Sequence, residues 1–328
     1  MGCERTKGRF VNAPVRRIDI IDLPAGRCVG TVHEAAGTAS RVGLLWVNFG
    51  YVPRDGHGGL AAQASDAMAG LGVPCFRYDL PGLGDSPGPL PSTTHQFFPV
   101  VTSGQFTEVT RQLVQQVCER EHLDGLVVAG LCGGAVNAIF TADAERARVR
   151  GLVLLEPEMY VTEPKKDEGA EPRRDRRRDK VRAKLPRLLA RELPFERRLE
   201  QLGGKLFSYW GWMRLLTLEN RYGRYMPLPR KKILDFVLSR TELPSVTNVP
   251  LASAWARWVG DKKPSLVITA DAKLREVFFD RINRKVLAGI ERENYVHVRL
   301  PQTNHIFTTG GAIATVTEHL KKNWSLLI

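Results

Sequence analysis

Leu126-Val127-Val128-Ala129-Gly130-Leu131-Cys132-Gly133-Gly134-Ala135 decides how the rest of the chain is read. Its first half is a short apolar run, the signature of a strand buried on both faces. Gly-x-Cys-x-Gly follows, and helix-like apolar spacing begins near Gly133. A strand that turns this sharply into a helix presents the residue at its apex as a nucleophile, here cysteine where serine is commoner. The flanking glycines suit such a turn, because side chains there would collide with the neighbouring strand and helix. At a helix N-terminus the dipole and the spare backbone N–H groups favour the thiolate form of Cys132. The alternative reading is a buried structural cysteine in a glycine-rich turn.

Outward from this segment, other short β-rich runs alternate with helical patterns. The runs are Val42–Phe49, Val73–Asp79, Gly151–Leu155, Leu266–Ala270 and Val296–Leu300. Helical spacing covers Leu60–Leu71, Gln105–Arg120, Gly133–Ala144, Leu274–Ile290 and Ala312–Trp324. This alternation predicts an α/β fold built on a mostly parallel sheet flanked by helices. Ahead of it, Arg17–Asp22 and Arg27–His33 flank Leu23-Pro24-Ala25-Gly26 and read as an antiparallel hairpin entering the sheet edge.

The alternation stops after Leu155 and resumes at Leu266. Residues 161–240 carry 22 Lys and Arg against 11 Asp and Glu, so 11 of the 13 net positive charges fall in that quarter of the chain. From Glu163 to Lys180 the only apolar side chains are Ala170 and two prolines, too few to bury the segment. The expected organisation is a core from residues 1–156 and 263–328, with a basic helical lid inserted at 157–262. With 43% hydrophobic and 25% charged residues, the 328-residue chain is neither disordered nor collagen-like. No run approaches the ~18 apolar residues of a membrane helix, and no apolar segment near the N-terminus reads as a secretory signal, so a cytoplasmic location is expected. Cys3, Cys28, Cys75, Cys118 and Cys132 are scattered without a CxxC pair, which argues for reduced thiols rather than a disulfide framework or zinc site. The basic excess lacks any recognition motif for nucleic acid, so specific nucleic-acid binding is not expected.

Four segments, in order, resemble the α/β-hydrolase family. They are Asn48-Phe49-Gly50-Tyr51 after a strand, Tyr78-Asp79-Leu80-Pro81-Gly82-Leu83-Gly84-Asp85-Ser86 as a D-x-x-G-x-G-x-S turn, Gly130–Gly134, and Thr303-Asn304-His305 after the last strand. The stretch Asn48 to Gly88 particularly resembles hydrolase-like proteins found beside exosortase systems; other relatives with a cysteine nucleophile include dienelactone hydrolases and polyester synthases. The resemblance covers nearly all of the chain outside the insertion.

It implies a catalytic set. Cys132 would attack a carbonyl, and His305, in a loop before the final helix, would exchange protons with it. His57, His95 and His122 compete less well by position, while His297 in a strand and His319 in a helix read as structural or surface residues. Two acids remain open. Family members hold an Asp after the strand matching Leu266–Ala270, often as G-x-x-D, where this chain has Lys273. Asp271, two residues earlier, is placed first, with a helix N-cap as its plainer reading. Glu156, directly after Gly151–Leu155, is the alternative. Backbone N–H groups of Gly133 and Tyr51 would hold the oxyanion. Asp55 and His57 would line the pocket, or Arg54 and Asp55 would pair to shape a loop; Asp79, Gly82, Gly84 and Ser86 read as turn architecture.

The expected function is hydrolysis of an ester or thioester through an acyl-cysteine intermediate. Acyl transfer from an acyl-thioester, and a non-catalytic ligand-binding descendant suggested by the missing Asp at 273, are the alternatives. The expected partner is a small acyl substrate, with the basic insertion suited to an anionic or CoA-linked one. No metal cluster, phosphate loop or dinucleotide fingerprint is legible, so no cofactor and no metal are expected.

Overall fold

The computed structural model describes residues 15–48, 50–90, 94–159, 247–270 and 273–328. By compactness the chain divides into Met1–Glu163 with Leu243–Ile328 as one unit, and Pro164–Glu242 as the other. Residues 160–246, which include the Arg-rich run and most of the expected lid, lie outside the described residues.

Eight strands form one sheet: β1 (Arg16–Leu23), β2 (Gly26–His33), β3 (Val42–Trp46), β4 (Cys75–Asp79), β5 (Gly125–Leu131), β6 (Val149–Leu155), β7 (Ser265–Ala270) and β8 (Tyr295–Leu300). Their order is β1-β2-β4-β3-β5-β6-β7-β8. β1 and β2 make the expected hairpin and β2 pairs antiparallel with β4; every remaining pairing is parallel. The fold class read from the sequence is the one observed.

Every residue of β5 and β7 is buried, as their near-continuous apolar runs require, and β4 (Cys75–Asp79) is buried throughout with its Arg77 and Asp79 ion-paired. Because side chains alternate across a strand, each run feeds two cores. On one face Leu126, Val128, Leu152, Leu154 and Val267 pack with α3 (Thr107–Arg120), α4 (Gly133–Ala144), α5 (Val249–Gly260) and α6 (Lys273–Val286). On the other, Val127, Ala129, Val153, Leu155 and Ile268 pack with α1 (Leu60–Ala69) and α7 (Ala312–Leu327). Among the described residues no helix is long and apolar enough to cross a membrane.

Two helices were not legible beforehand. α2 (Thr94–Thr102) carries Pro99 in its interior, a residue that reads as a helix breaker. α5 falls inside the segment assigned by composition to the insertion, yet it lies against the sheet. Leu251, Trp255 and Trp258 are fully buried in the first core, and Trp255 Nε1 donates to Asn283 Oδ1 at 2.8 Å. Asn248 caps this helix by accepting from the Leu251 N–H, and its own amide donates to the Thr102 carbonyl at 2.7 Å. The Asn248 N–H also bonds the Met159 carbonyl at 3.0 Å, which brings the two chain segments bordering the undescribed region together.

Parallel strands end on the same side of the sheet, so the segments after β3, β5, β6, β7 and β8 converge there. In open α/β sheets this edge is where ligands bind.

Candidate active site

Cys132 stands between β5 and α4 with φ 54° and ψ −114°, a conformation that β-carbon-bearing residues rarely adopt. Its N–H donates to the Leu155 carbonyl at 2.8 Å and its carbonyl accepts from the Val136 N–H at 3.2 Å, so β6 and α4 hold the turn. The glycines have the role expected of them. A β-carbon on Gly130 would lie 2.3 Å from the Gly134 carbonyl carbon, and one on Gly134 would lie 2.6 Å from the Asn48 carbonyl oxygen. The turn leaves the Cys132 side chain half-buried rather than sealed in the core. Three other cysteines are buried: burial pushes the Cys28 thiol up to about 12 and Cys118 to about 11, and raises Cys75 as well. Cys3 lies outside the described residues.

His305 follows β8, as expected, and its Nδ1 is 3.1 Å from Glu156 Oε2. A carboxylate only accepts, so Nδ1 carries the proton and Nε2 presents a lone pair. Glu156 is itself fixed. Its φ is 47°, its N–H donates to the Ile268 carbonyl at 3.0 Å, and its Oε1 accepts from the Ala270 N–H. Only 3% of its side chain is exposed, against 22% for His305. Glu156, one of the two acids left open by the sequence, meets the imidazole; the other, Asp271, lies outside the described residues.

A further carboxylate was missed. Glu158, 4% exposed, offers an oxygen in a group with the Cys132 sulfur and an imidazole nitrogen of His305, the three ligand atoms lying within 4.8 Å of one another. Nothing periodic marks it in the sequence; the only signal is its spacing of two from Glu156 in Glu156-Pro157-Glu158.

The loop after β3 forms the facing wall. Its Gly50 backbone lies 3.9 Å from where a Gly133 side chain would begin, so the loop reaches the N-terminus of α4. Tyr51 follows, its ring stacked on Phe97 with centroids 4.0 Å apart. Phe49 lies outside the described residues.

What anchors this loop is Asp79, which is fully buried. Its carboxylate accepts from Asn48 Nδ2 (2.8 Å), the Arg54 N–H (2.7 Å), Arg54 Nη1 (2.6 Å) and the Asp85 N–H (3.1 Å). Asn48 Oδ1 in turn accepts from the Leu80 N–H at 2.8 Å, and Ser86 Oγ donates to the Asp79 carbonyl at 2.6 Å. A β-carbon on Gly84 would sit 2.2 Å from Asp79 Oδ2, which is why the turn needs glycine there. The turn is architecture, as read, but architecture that holds the loop against the elbow. Arg54 and Asp55 do not pair with each other: Arg54 bonds Asp79 and Asp85, while Asp55 bonds Arg77.

His57, in a short 3-10 turn (His57–Gly59), borders the site. Burial holds its pKa below the ordinary histidine value, and its proximity to His305 adds to this. His297 is half-buried in β8, where it meets Thr269 Oγ1 at 2.9 Å, and desolvation holds its pKa low. His95 lies among residues whose side chains are not described.

The sequence profile described as "Alpha/beta hydrolase family" matches residues 39–311. No curated protein matches the chain. Solved structures do. Dienelactone hydrolase from Anabaena variabilis shares 12% identity, with 96% of this chain and 99% of that one covered and a TM-score of 0.52. A haloalkane dehalogenase from Agrobacterium tumefaciens shares 13% identity, with 95% and 97% covered and a TM-score of 0.52. At such identities these likenesses speak for the fold alone.

Proposed function

Because the chain belongs to the alpha/beta hydrolase family, we propose that it cleaves an ester or thioester through an acyl-cysteine intermediate, with Cys132 as nucleophile, His305 as base and Glu156 as the orienting acid. The observation that carries this reading is the 3.1 Å contact of His305 Nδ1 with Glu156 Oε2, beside a half-buried cysteine held at positive φ.

In the first half-reaction the Cys132 thiol gives its proton to His305 Nε2, and the sulfur forms a bond to the carbonyl carbon. The resulting oxyanion is held by the backbone N–H of Gly133 and one from the loop after β3, Tyr51 in our assignment. Collapse expels the alcohol or thiol, which takes the proton from His305. Water then gives a proton to His305 and attacks the acyl carbon. The carbon–sulfur bond breaks, acid is released, and the thiol regains its proton. Glu156 keeps the imidazole in the tautomer both steps use. An alcohol, amine or thiol in place of water makes the same intermediate an acyltransferase, and product analysis with added acceptors separates the two outcomes. The substrate we favour is a small acyl compound, anionic or CoA-linked in keeping with the basic segment; an exosortase-linked setting is suggested by the stretch Asn48 to Gly88.

The test is intact-mass analysis after incubation with activated aryl esters and acyl-thioesters. The expected result is an acyl adduct on Cys132 that accumulates in His305→Ala and is absent in Cys132→Ala. Adducts that persist without Cys132, or a wild-type protein inert to the whole panel with an unreactive Cys132, would overturn the assignment.

A further inference from the structure

Cys132, Glu158 and His305 place one sulfur, one carboxylate oxygen and one imidazole nitrogen within 4.8 Å of one another, and the acyl chemistry proposed above uses only two of the three residues. We propose that this trio is a binding site for a thiophilic divalent cation of the zinc type, and that occupancy switches the nucleophile off.

The donor set selects the ion. Thiolate and imidazole suit zinc and disfavour calcium and magnesium, which take oxygen ligands. Three protein ligands leave a fourth tetrahedral position for water, and the half-buried Cys132 keeps that side reachable. Zinc bonds of about 2.0–2.3 Å set tetrahedral ligand atoms roughly 3.3–3.8 Å apart, so contraction by about 1 Å through side-chain torsions closes the site. The His305 ring is held as that of a metal-ligating histidine is, by a carboxylate outside the ligand trio: Nδ1 faces Glu156 and fixes the ring.

Electrostatics supplies the reason for occupancy. The thiolate that forms on binding and the 4%-exposed Glu158 carboxylate would be like charges in one partly buried pocket without an ion. A divalent cation between them turns that repulsion into two favourable contacts. On binding, the Cys132 thiol loses its proton to solvent and the sulfur lone pair becomes a metal ligand, so it no longer attacks a carbonyl. The inference shares its site with the proposed hydrolysis but is independent of it in outcome.

The experiment uses the full-length, metal-stripped protein. Titration with Co²⁺ is expected to give a one-to-one complex with a thiolate-to-cobalt charge-transfer band and the visible bands of tetrahedral cobalt, displaced by Zn²⁺. Glu158→Gln should weaken the complex by about 10–100-fold, and Glu156→Gln, acting only through the ring orientation, by about 10-fold. A readout on unmutated protein guards against misfolded variants: Zn²⁺ should protect Cys132 from iodoacetamide, with protection reversed by EDTA. Absence of the charge-transfer band, absence of protection, or affinity unchanged in a folded Glu158→Gln would overturn the proposal. Ester turnover by the metal-free protein is measured separately, so an enzyme that ignores zinc and an inert protein that binds it are told apart.

Discussion

Glu156 meets His305 across 149 residues of chain, its Oε2 3.1 Å from Nδ1 while its Oε1 takes the N–H of Ala270 on the neighbouring strand. The carboxylate is thus aimed by backbone, not by a flexible loop. Glu156→Gln should lower turnover by about 10²-fold, near the smaller end of general-base effects because a thiol depends less on its base than an alcohol does. Asp271→Asn should leave turnover unchanged. Steady-state kinetics on the two variants decide between the acids, and the reverse ranking would displace Glu156.

Asp79 is fully buried and accepts from Asn48, Arg54 and the Asp85 N–H, so its removal takes the inner carboxylate from the half-buried Arg54 and leaves several buried donors without an acceptor. Asp79→Ala should cost about 3–5 kcal/mol in urea unfolding. Asp85→Ala removes the solvent-facing partner of the same arginine and should cost no more than about 1 kcal/mol. Equal losses in the two variants would show that the turn does not depend on the buried pair.

Gly130→Ala drives a methyl group to within 2.3 Å of backbone in α4, with no side-chain torsion to relieve it. Loss of more than about 4 kcal/mol, or failure to fold, is expected. Gly260→Ala, at the end of α5 with open space around it, should gain about 0.5–1 kcal/mol by helix propensity. Thermal unfolding of the pair checks both signs.

His33 is wholly buried at the end of β2. Its Nδ1 bonds Asp66 at 2.8 Å, Arg77 Nε donates to its Nε2 at 2.8 Å, and Arg16 and Asp55 complete the network around it. Burial first, then the Arg77 charge, lowers its pKa to about 4. The unfolded chain therefore takes up this proton first as pH falls below the ordinary histidine value. Stability is fully present above that value and declines down to the folded-state pKa. From pH 7 to pH 5 the loss from this residue is about 2 kcal/mol, and His33→Gln should flatten that part of the urea-midpoint profile. A wild-type profile level over this range would contradict the assignment.

The strands and the elbow were legible because they are written in contiguous residues: apolar runs of strand length, then Gly-x-Cys-x-Gly. The contact of Glu156 with the imidazole was not, since it depends on register. Leu155 pairs with Ile268, which sets Glu156 beside Ala270, and no local pattern encodes that alignment. The Arg54–Asp55 pairing that the sequence left as one alternative fails for a related reason: Asp55 is adjacent in chain, but Asp79 arrives through the sheet. Glu158 had no pattern to announce it. α5 was hidden because its tryptophans and alanines resembled the aromatic, basic segment before it more than a sheet-packing helix.

Cys132 and Glu156 end adjacent strands, and both hold positive φ, at about 1–3 kcal/mol each for residues bearing a β-carbon. On the roles proposed for them, heat tolerance and turnover therefore pull in opposite directions at these two positions. Selection for thermal robustness alone would favour glycine at either one and would yield a hardier, silent protein, so efforts to toughen this molecule should find their gains elsewhere.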